Sequence, residues 1–195
     1  MVAPVGLGFD TVTEMALQRG SHSEFNGPAA PASAWAGYWE LGYPFASDPA
    51  RIRFSYTQAS GGNLGQRRVG TFNDLHAAGF NDCGFFEPFA WRNIRNLGAG
   101  GRKTAFGKWN LTAEFHIYWL ASLKDGVYVD EEPFLAFNPD AGSSRLGSRL
   151  LAGAQRNFGP HCETAFGYAK FFRADYLKPG TALSHSAFIS WTARL

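Results

Sequence analysis

Residues 108–121 read KWNLTAEFHIYWLA, and their alternation decides the fold class. Trp109, Leu111, Ala113, Phe115, Ile117, Trp119 and Ala121 fall on one face of an extended chain. Asn110, Thr112, Glu114, His116 and Tyr118 fall on the other, the period of two that defines a β-strand. Trp109 and Trp119 bracket the apolar row ten residues apart. At ~3.3 Å per residue the two indoles are ~33 Å apart along the strand. A tilt of about 40° reduces this to ~25 Å of height, the apolar band of an outer-membrane β-barrel with aromatics at both rims.

Working outward, seven further strands are predicted, giving 11–19, 33–43, 50–58, 92–102, 108–121, 145–156, 161–173 and 184–195. In ARIRFSYT, Ile52, Phe54 and Tyr56 alternate with Arg51, Arg53, Ser55 and Thr57. In AWAGYWELGY, Trp35, Trp39, Leu41 and Tyr43 share a face, with Tyr38 and Glu40 opposite. The terminal AFISWTARL sets Ala187, Ile189, Trp191, Ala193 and Leu195 against Ser190, Thr192 and Arg194. Strands 92–102 and 161–173 contain Gly98, Gly100, Gly101 and Gly167, positions where a strand bends or neighbouring side chains approach closely.

The connections alternate. Arg19–Ala32, Ala59–Trp91 and Ser122–Ser144 are long, whereas Pro44–Pro49, Lys103–Gly107 and Asn157–Pro160 are tight. A soluble sandwich has no reason to gather its long loops at one end, but an outer-membrane barrel does, with long loops outside the cell and short turns in the periplasm. The expected fold is therefore an all-β, antiparallel, up-and-down transmembrane barrel of about eight strands, with both chain ends on the short-turn side. Residues 1–195 are read as a single barrel domain. Met1–Asp10 has no Lys or Arg and no apolar core long enough for a signal peptide. With residue 11 already in a strand, the expectation is the C-terminal part of a longer, exported chain.

Bulk composition agrees. Apolar residues make up 45% of the chain and charged residues only 17%, low for a soluble domain. Aromatics reach 16%, and no apolar run approaches the ~18 residues of a membrane helix. A net charge of +2 with no basic stripe argues against a nucleic-acid partner. Cys83 and Cys162 match no metal spacing. The bland reading, two small semi-buried residues, is preferred to a disulfide.

GTFNDLHAAGFNDCGFFEPFAWRNIRNLGAG, KWNLTAEFHIYWLASLKDGVY and RLGSRLLAGAQRNFGPHCETAFGYAKFFRADYLK together resemble the C-terminal half of the alginate-export family. The most specific pieces are Trp91-Arg92-Asn93-Ile94, the His116–Trp119 strand end, and Gly167-Tyr168…Phe171-Phe172…Tyr176-Leu177. The resemblance implies a Gram-negative outer-membrane barrel of roughly eighteen strands, of which this chain supplies less than half. It also implies passage of an anionic, alginate-like polysaccharide through an arginine-rich lumen. The ending AFISWTARL is similar to the C-terminal strand read by the barrel-assembly machinery, except that Leu195 stands where an aromatic is usual. Where relatives tend to read Leu-Gly-Ser-Glu-Leu-Asp, this chain has Leu146-Gly147-Ser148-Arg149-Leu150-Leu151. Lys170 stands where His is common. Both departures add positive character if they face the lumen.

The lumen-parity charges are Arg51, Arg53, Glu114, His116, Arg149 and Arg194. One reading is a cationic track whose guanidinium groups exchange contacts with an anionic chain. The other is a network in which Arg and Glu neutralise each other across strands. Arg67, Arg68, Phe85 and Phe86 lie in the long 59–91 connection, which also holds Phe80, Phe89 and Asp82. It is expected to fold into the lumen as a constriction, because exposed phenylalanines on an external loop are costly. Trp109, Trp119 and Trp191 are the expected aromatic girdle, facing outer-membrane lipid.

Glu114 and His116 sit two apart on one face, yet no nucleophile or third group accompanies them, so no enzymatic activity is expected. His22, His76, His161 and His185 share no ligand spacing, and neither a metal nor a cofactor is expected. Gly61-Gly62-Asn63-Leu64-Gly65 precedes no helix and is not a phosphate cradle. Two alternatives stay open: a small closed eight-stranded membrane barrel acting as an enzyme or anchor, and a soluble β-barrel binding protein. Eight strands leave room for side chains only, not for a pore.

Overall fold

The computed structural model describes residues 2–5, 7–22, 29–46, 48–64, 68–73, 88–129, 136–138, 140–177 and 185–193. They form one antiparallel sheet in strict chain order. The strands are β1 Val2–Val5, β2 Phe9–His22, β3 Ala30–Pro44, β4 Ala50–Ala59, β5 Ile94–Ala105, β6 Trp109–Leu120, β7 Arg145–Phe158, β8 Cys162–Arg173 and β9 His185–Ala193. No described helix is long and apolar enough to cross a membrane. The eight expected strands are present within a few residues of their predicted bounds.

β1 corrects the sequence reading, which started the first strand at residue 11. Val-Ala-Pro-Val is too short for alternation to show, and proline is tolerated on an edge strand. β1 pairs with β2 through Val5↔Phe9, across another short connection. It runs toward the short-turn end, so Val2 lies within the wall rather than at that end. β9 does end on the short-turn side, with Ala193 opposite Cys162. β1 and β9 are the two sheet edges.

The pairing registers give the sheet a barrel's stagger. One hydrogen-bonded row runs from Asp10 through Gly42, Arg53, Gly100, Glu114, Leu151 and Ala169 to Ser186. Asp10 is the second residue of β2, Arg53 the fourth of β4, Glu114 the sixth of β6 and Ala169 the eighth of β8. The row thus climbs one residue per strand relative to the short-turn ends. A rise of ~3.3 Å per strand spacing of ~4.8 Å is a tilt of roughly 35°, the inclination at which sheets curl into barrels.

The faces are inverted relative to a soluble sheet. Leu17, Phe54 and Ile189 are 73%, 56% and 85% exposed on one face, whereas Glu40, Glu114, His116 and Arg149 are buried on the other. A β-bulge in the β6–β7 pairing between Tyr118 and Trp119 sends Leu146 to the inner side and leaves Arg145 opposite Trp119 on the outer one. Leu146 is completely buried as a result.

The hydrophobic core is not spread along the sheet. It gathers at the long-loop end of the inner face, where Ala36, Ile94, Tyr118, Leu120 and Phe171 meet Phe72, Phe89, Val127, Tyr176 and Leu177 from the long connections. Phe89 sets its ring 5.2 Å from Tyr118 and 5.6 Å from Phe171, both edge-on. From the 59–91 connection, Phe72 and Phe89 pack in this core; Arg67, Phe80, Asp82, Cys83, Phe85 and Phe86 lie outside the described residues.

Candidate functional site

The inner face carries a ladder of alternating charge across four strands. Arg51 of β4 binds Asp10 of β2 and, at 2.7 Å, Glu40 of β3. Arg53 bonds the second oxygen of Glu40 at 3.2 Å and also reaches Glu114 of β6. His116 Nε2 lies 3.0 Å from Glu114, and its Nδ1 lies 3.2 Å from Asn96 Oδ1 on β5. Tyr38 donates its hydroxyl to Glu40. Each carboxylate therefore has two or more donors, the condition under which buried charge is tolerated.

Glycine makes the ladder possible. Arg53 and Glu114 belong to strands separated by β5, and the residue between them in the row is Gly100. A Cβ there would stand 2.6 Å from the Ala113 carbonyl and 2.7 Å from Glu114 Cγ. One at Gly42 would strike the Arg51 guanidinium, and one at Gly98 would lie 2.8 Å from the His116 ring. Long side chains lie flat across the sheet because these positions have none. Gly100→Val is expected to cost about 1–3 kcal/mol through overpacking and to part Arg53 from Glu114. The unfolding midpoint in detergent, read by heat-dependent gel mobility, checks this.

A second construction ties the long connections to the wall. Asn93 is fully buried with φ +50° and holds a left-handed backbone that asparagine tolerates better than most residues. Its amide donates to the carbonyls of Ser122 and Gly126 and accepts from the Ser122 N–H at 2.7 Å. Asp125, also fully buried, accepts from Gly62 N, Thr71 Oγ1, Gly126 N and the Tyr128 hydroxyl. Burial, with Asp125 as its acceptor, pushes the Tyr128 phenol well above its ordinary range, so it stays a donor. Arg92 donates to Asn73 and lies 5.9 Å over the Tyr128 ring. Tyr176 caps the arrangement by accepting from the Asn138 N–H at 3.1 Å.

The structure brings Arg51, Arg53, Glu114 and His116 together and places Arg149 directly opposite His116 on β7. Arg194 and Arg67 lie outside the described residues; Arg68 is exposed in the β4–β5 connection. Leu151 packs with Ala169 and Phe188 where a carboxylate is usual in the resembled family. Lys170 does not add charge to the inner face: it stands on the outer one, 5.1 Å over the Phe172 ring. Trp109 and Trp191 sit on the outer face toward the short turns, Trp119 toward the long loops. Trp109 packs edge-on with Phe158 and Phe166, and Trp191 donates to the free thiol of Cys162.

Asp10, Glu40, Asn93 and Asp125 were not among the candidate site residues expected from the sequence. Asp10 lay ahead of the predicted strand start, although one further residue of alternation would have placed it. Glu40 showed the right parity, but its two arginine partners are set by register. Asn93 and Asp125 carry no periodic signal, because they lie outside the strands and bond to groups of the connections. No group of three or more potential metal-ligating side chains is present among the described residues.

A family profile described as alginate export matches residues 5–189. A search of curated proteins returned no match.

Proposed function

The chain belongs to the alginate-export family, and on that premise we propose that it forms part of the wall of an outer-membrane channel that passes an anionic polysaccharide. The observation that carries the reading is the sorting of charge. Every carboxylate on a described strand residue (Asp10, Glu14, Glu40, Glu114 and Glu163) points inward by register. The outward face presents apolar side chains through its middle, as lipid requires. Long loops then lie outside the cell, short turns in the periplasm, and the inner face lines an aqueous path. With Trp109, Trp119 and Trp191 at the rims, the chain is expected to fold through the barrel-assembly machinery into a wall of roughly eighteen strands.

The ladder supports this reading through the way it would meet a polyanion. Arg51 and Arg53 keep some exposure, 17% and 26%, while their carboxylate partner Glu40 is nearly closed off. A uronate carboxylate entering from the lumen competes with Glu40 for a guanidinium that is already satisfied. Binding is therefore weak and exchangeable, which conduction demands: favourable enough to enter, weak enough to leave. Arg149, opposite His116, extends the cationic side toward β7. No step needs bond chemistry, and both ring nitrogens of His116 are engaged.

Reversing Arg51→Glu together with Arg53→Glu in the full-length protein is expected to shift the zero-current potential toward cation preference. Planar-bilayer measurements under a salt gradient check this. Unchanged selectivity with a folded barrel would remove these arginines from the path. Conductance itself tests the channel reading, and a full-length protein that folds in lipid without conducting would favour the anchor alternative.

A further inference from the structure

The outward face has a charge pattern that the transport path does not use. Counting each strand from its short-turn end, Arg19 of β2, Arg95 of β5 and Trp119 of β6 all stand at the eleventh position. Lys170 of β8 stands at the ninth, and Arg145 of β7 about two beyond the eleventh once the bulge is allowed for. All four cations are exposed and outward by register: Arg19 against Ser33, Arg95 and Arg145 on either side of Trp119, and Lys170 against Leu150. Below them, positions four to eight of the described strands carry no outward charge. Lys103 and Arg156 then appear at the third position, near the short turns, with Lys103 bound to Asp48 at 2.7 Å. No outward carboxylate faces any of these cations among the described strand residues.

Arg145 reaches this face only through the bulge. Regular alternation would send it inward and Leu146 outward, an exchange that costs the buried leucine its place. Arg95 is steadied by donating to the Ala121 carbonyl at 3.4 Å. Arg95 and Arg145 flank Trp119 from either side, two strands apart, roughly 10 Å.

Resting on the membrane orientation proposed above, we infer that Arg95, Arg145 and Lys170, with Arg19 farther along the wall, form a collar for the phosphate groups of an anionic phosphoglycolipid in the outer leaflet. The match is one of sign and height. Phosphates lie at the boundary between acyl chains and headgroups, the level that the Trp119 indole marks. Arginine offers a planar fork for phosphate oxygens, and the uncharged band below accepts the acyl chains. A carboxylate-bearing polysaccharide is a poorer fit, because the collar faces away from the lumen.

The test uses the full-length protein, purified from a membrane that contains lipid A and reconstituted in vesicles of phosphatidylcholine doped with lipid A. The triple variant Arg95→Ser, Arg145→Ser, Lys170→Ser is expected to retain about tenfold less co-purifying lipid A by native mass spectrometry. The short-turn variant Lys103→Ser, Arg156→Ser keeps the wild-type amount. Wild-type protein should lose the interaction equally when the lipid A is dephosphorylated, an arm that stands even if the triple variant does not fold. Competition by inorganic phosphate at millimolar concentration, with no dependence on the acyl chains, would assign the collar to free phosphate and overturn the lipid proposal. Equal retention by phosphorylated and dephosphorylated lipid A would also overturn it. Conductance separates the two readings: a conducting triple variant that has lost lipid A leaves the channel proposal untouched, whereas a non-conducting wild type that still binds lipid A undermines only the channel.

Discussion

Arg53→Leu should destabilise the folded barrel by about 3 kcal/mol, and Arg53→Leu with Glu114→Leu should restore most of that loss. Glu114 is almost wholly buried, and Arg53 is one of two side chains that face its charge. Removing one partner leaves an uncompensated carboxylate, which typically costs about 3–5 kcal/mol, whereas replacing both by apolar groups is often close to neutral. The lower end applies because His116 still faces Glu114 at 3.0 Å and Arg53 is part-exposed. The restoration is incomplete because Glu40 loses one of its donors in both variants. Urea unfolding in detergent, followed by tryptophan fluorescence, supplies the four corners of the double-mutant cycle. Additive losses would mean that the pair does not interact in the folded wall.

The second large effect falls on the loops. Asp125→Ala is expected to release the connections at 60–64 and 121–129 from each other. Gly62 N, Thr71 Oγ1, Gly126 N and the Tyr128 hydroxyl all lose an acceptor that is itself fully buried. Each buried donor left unmade costs about 1–3 kcal/mol, though relaxation toward water caps the sum. The cost is local, because the strand ladders below do not depend on Asp125. The expected result is a barrel that still folds, with little change in its unfolding midpoint, but with the long connections open to protease added from outside. Asp125→Asn, which keeps one carbonyl acceptor, should be cut more slowly. If protease digests both variants no faster than wild type, Asp125 does not hold these loops. Single-channel records should show larger current noise in Asp125→Ala, since Phe72 and Phe89 would no longer be held on the inner face.

The two constructions differ in how far the residues alone announce them. Arg51, Arg53, Glu114 and His116 were visible together because each obeys a period of two inside its own strand, a purely local rule. Asn93 and Asp125 were invisible as a pair, because their partners are backbone and side-chain groups of connections brought together only when the strands between them are in place. Phe89 lay between these cases. Phenylalanines in a long connection announce that something must cover them, and the fold reveals that the inner face near Tyr118 and Phe171 does so for Phe89.

Alternation in the chain determined the strands and their two faces, because a strand's side-chain period does not depend on its neighbours. Only the tertiary structure decided which charges meet. Arg53 reaches Glu114 because Gly100 lies between them in a row that climbs one residue per strand. Arg145 turns outward because a single bulge shifts the register at Trp119. Lys170 turns outward because its pairing with Leu150 fixes its face. Register and stagger are properties of strand pairs, set by contacts far apart in the chain, and a one-residue slip moves every side chain to the opposite face.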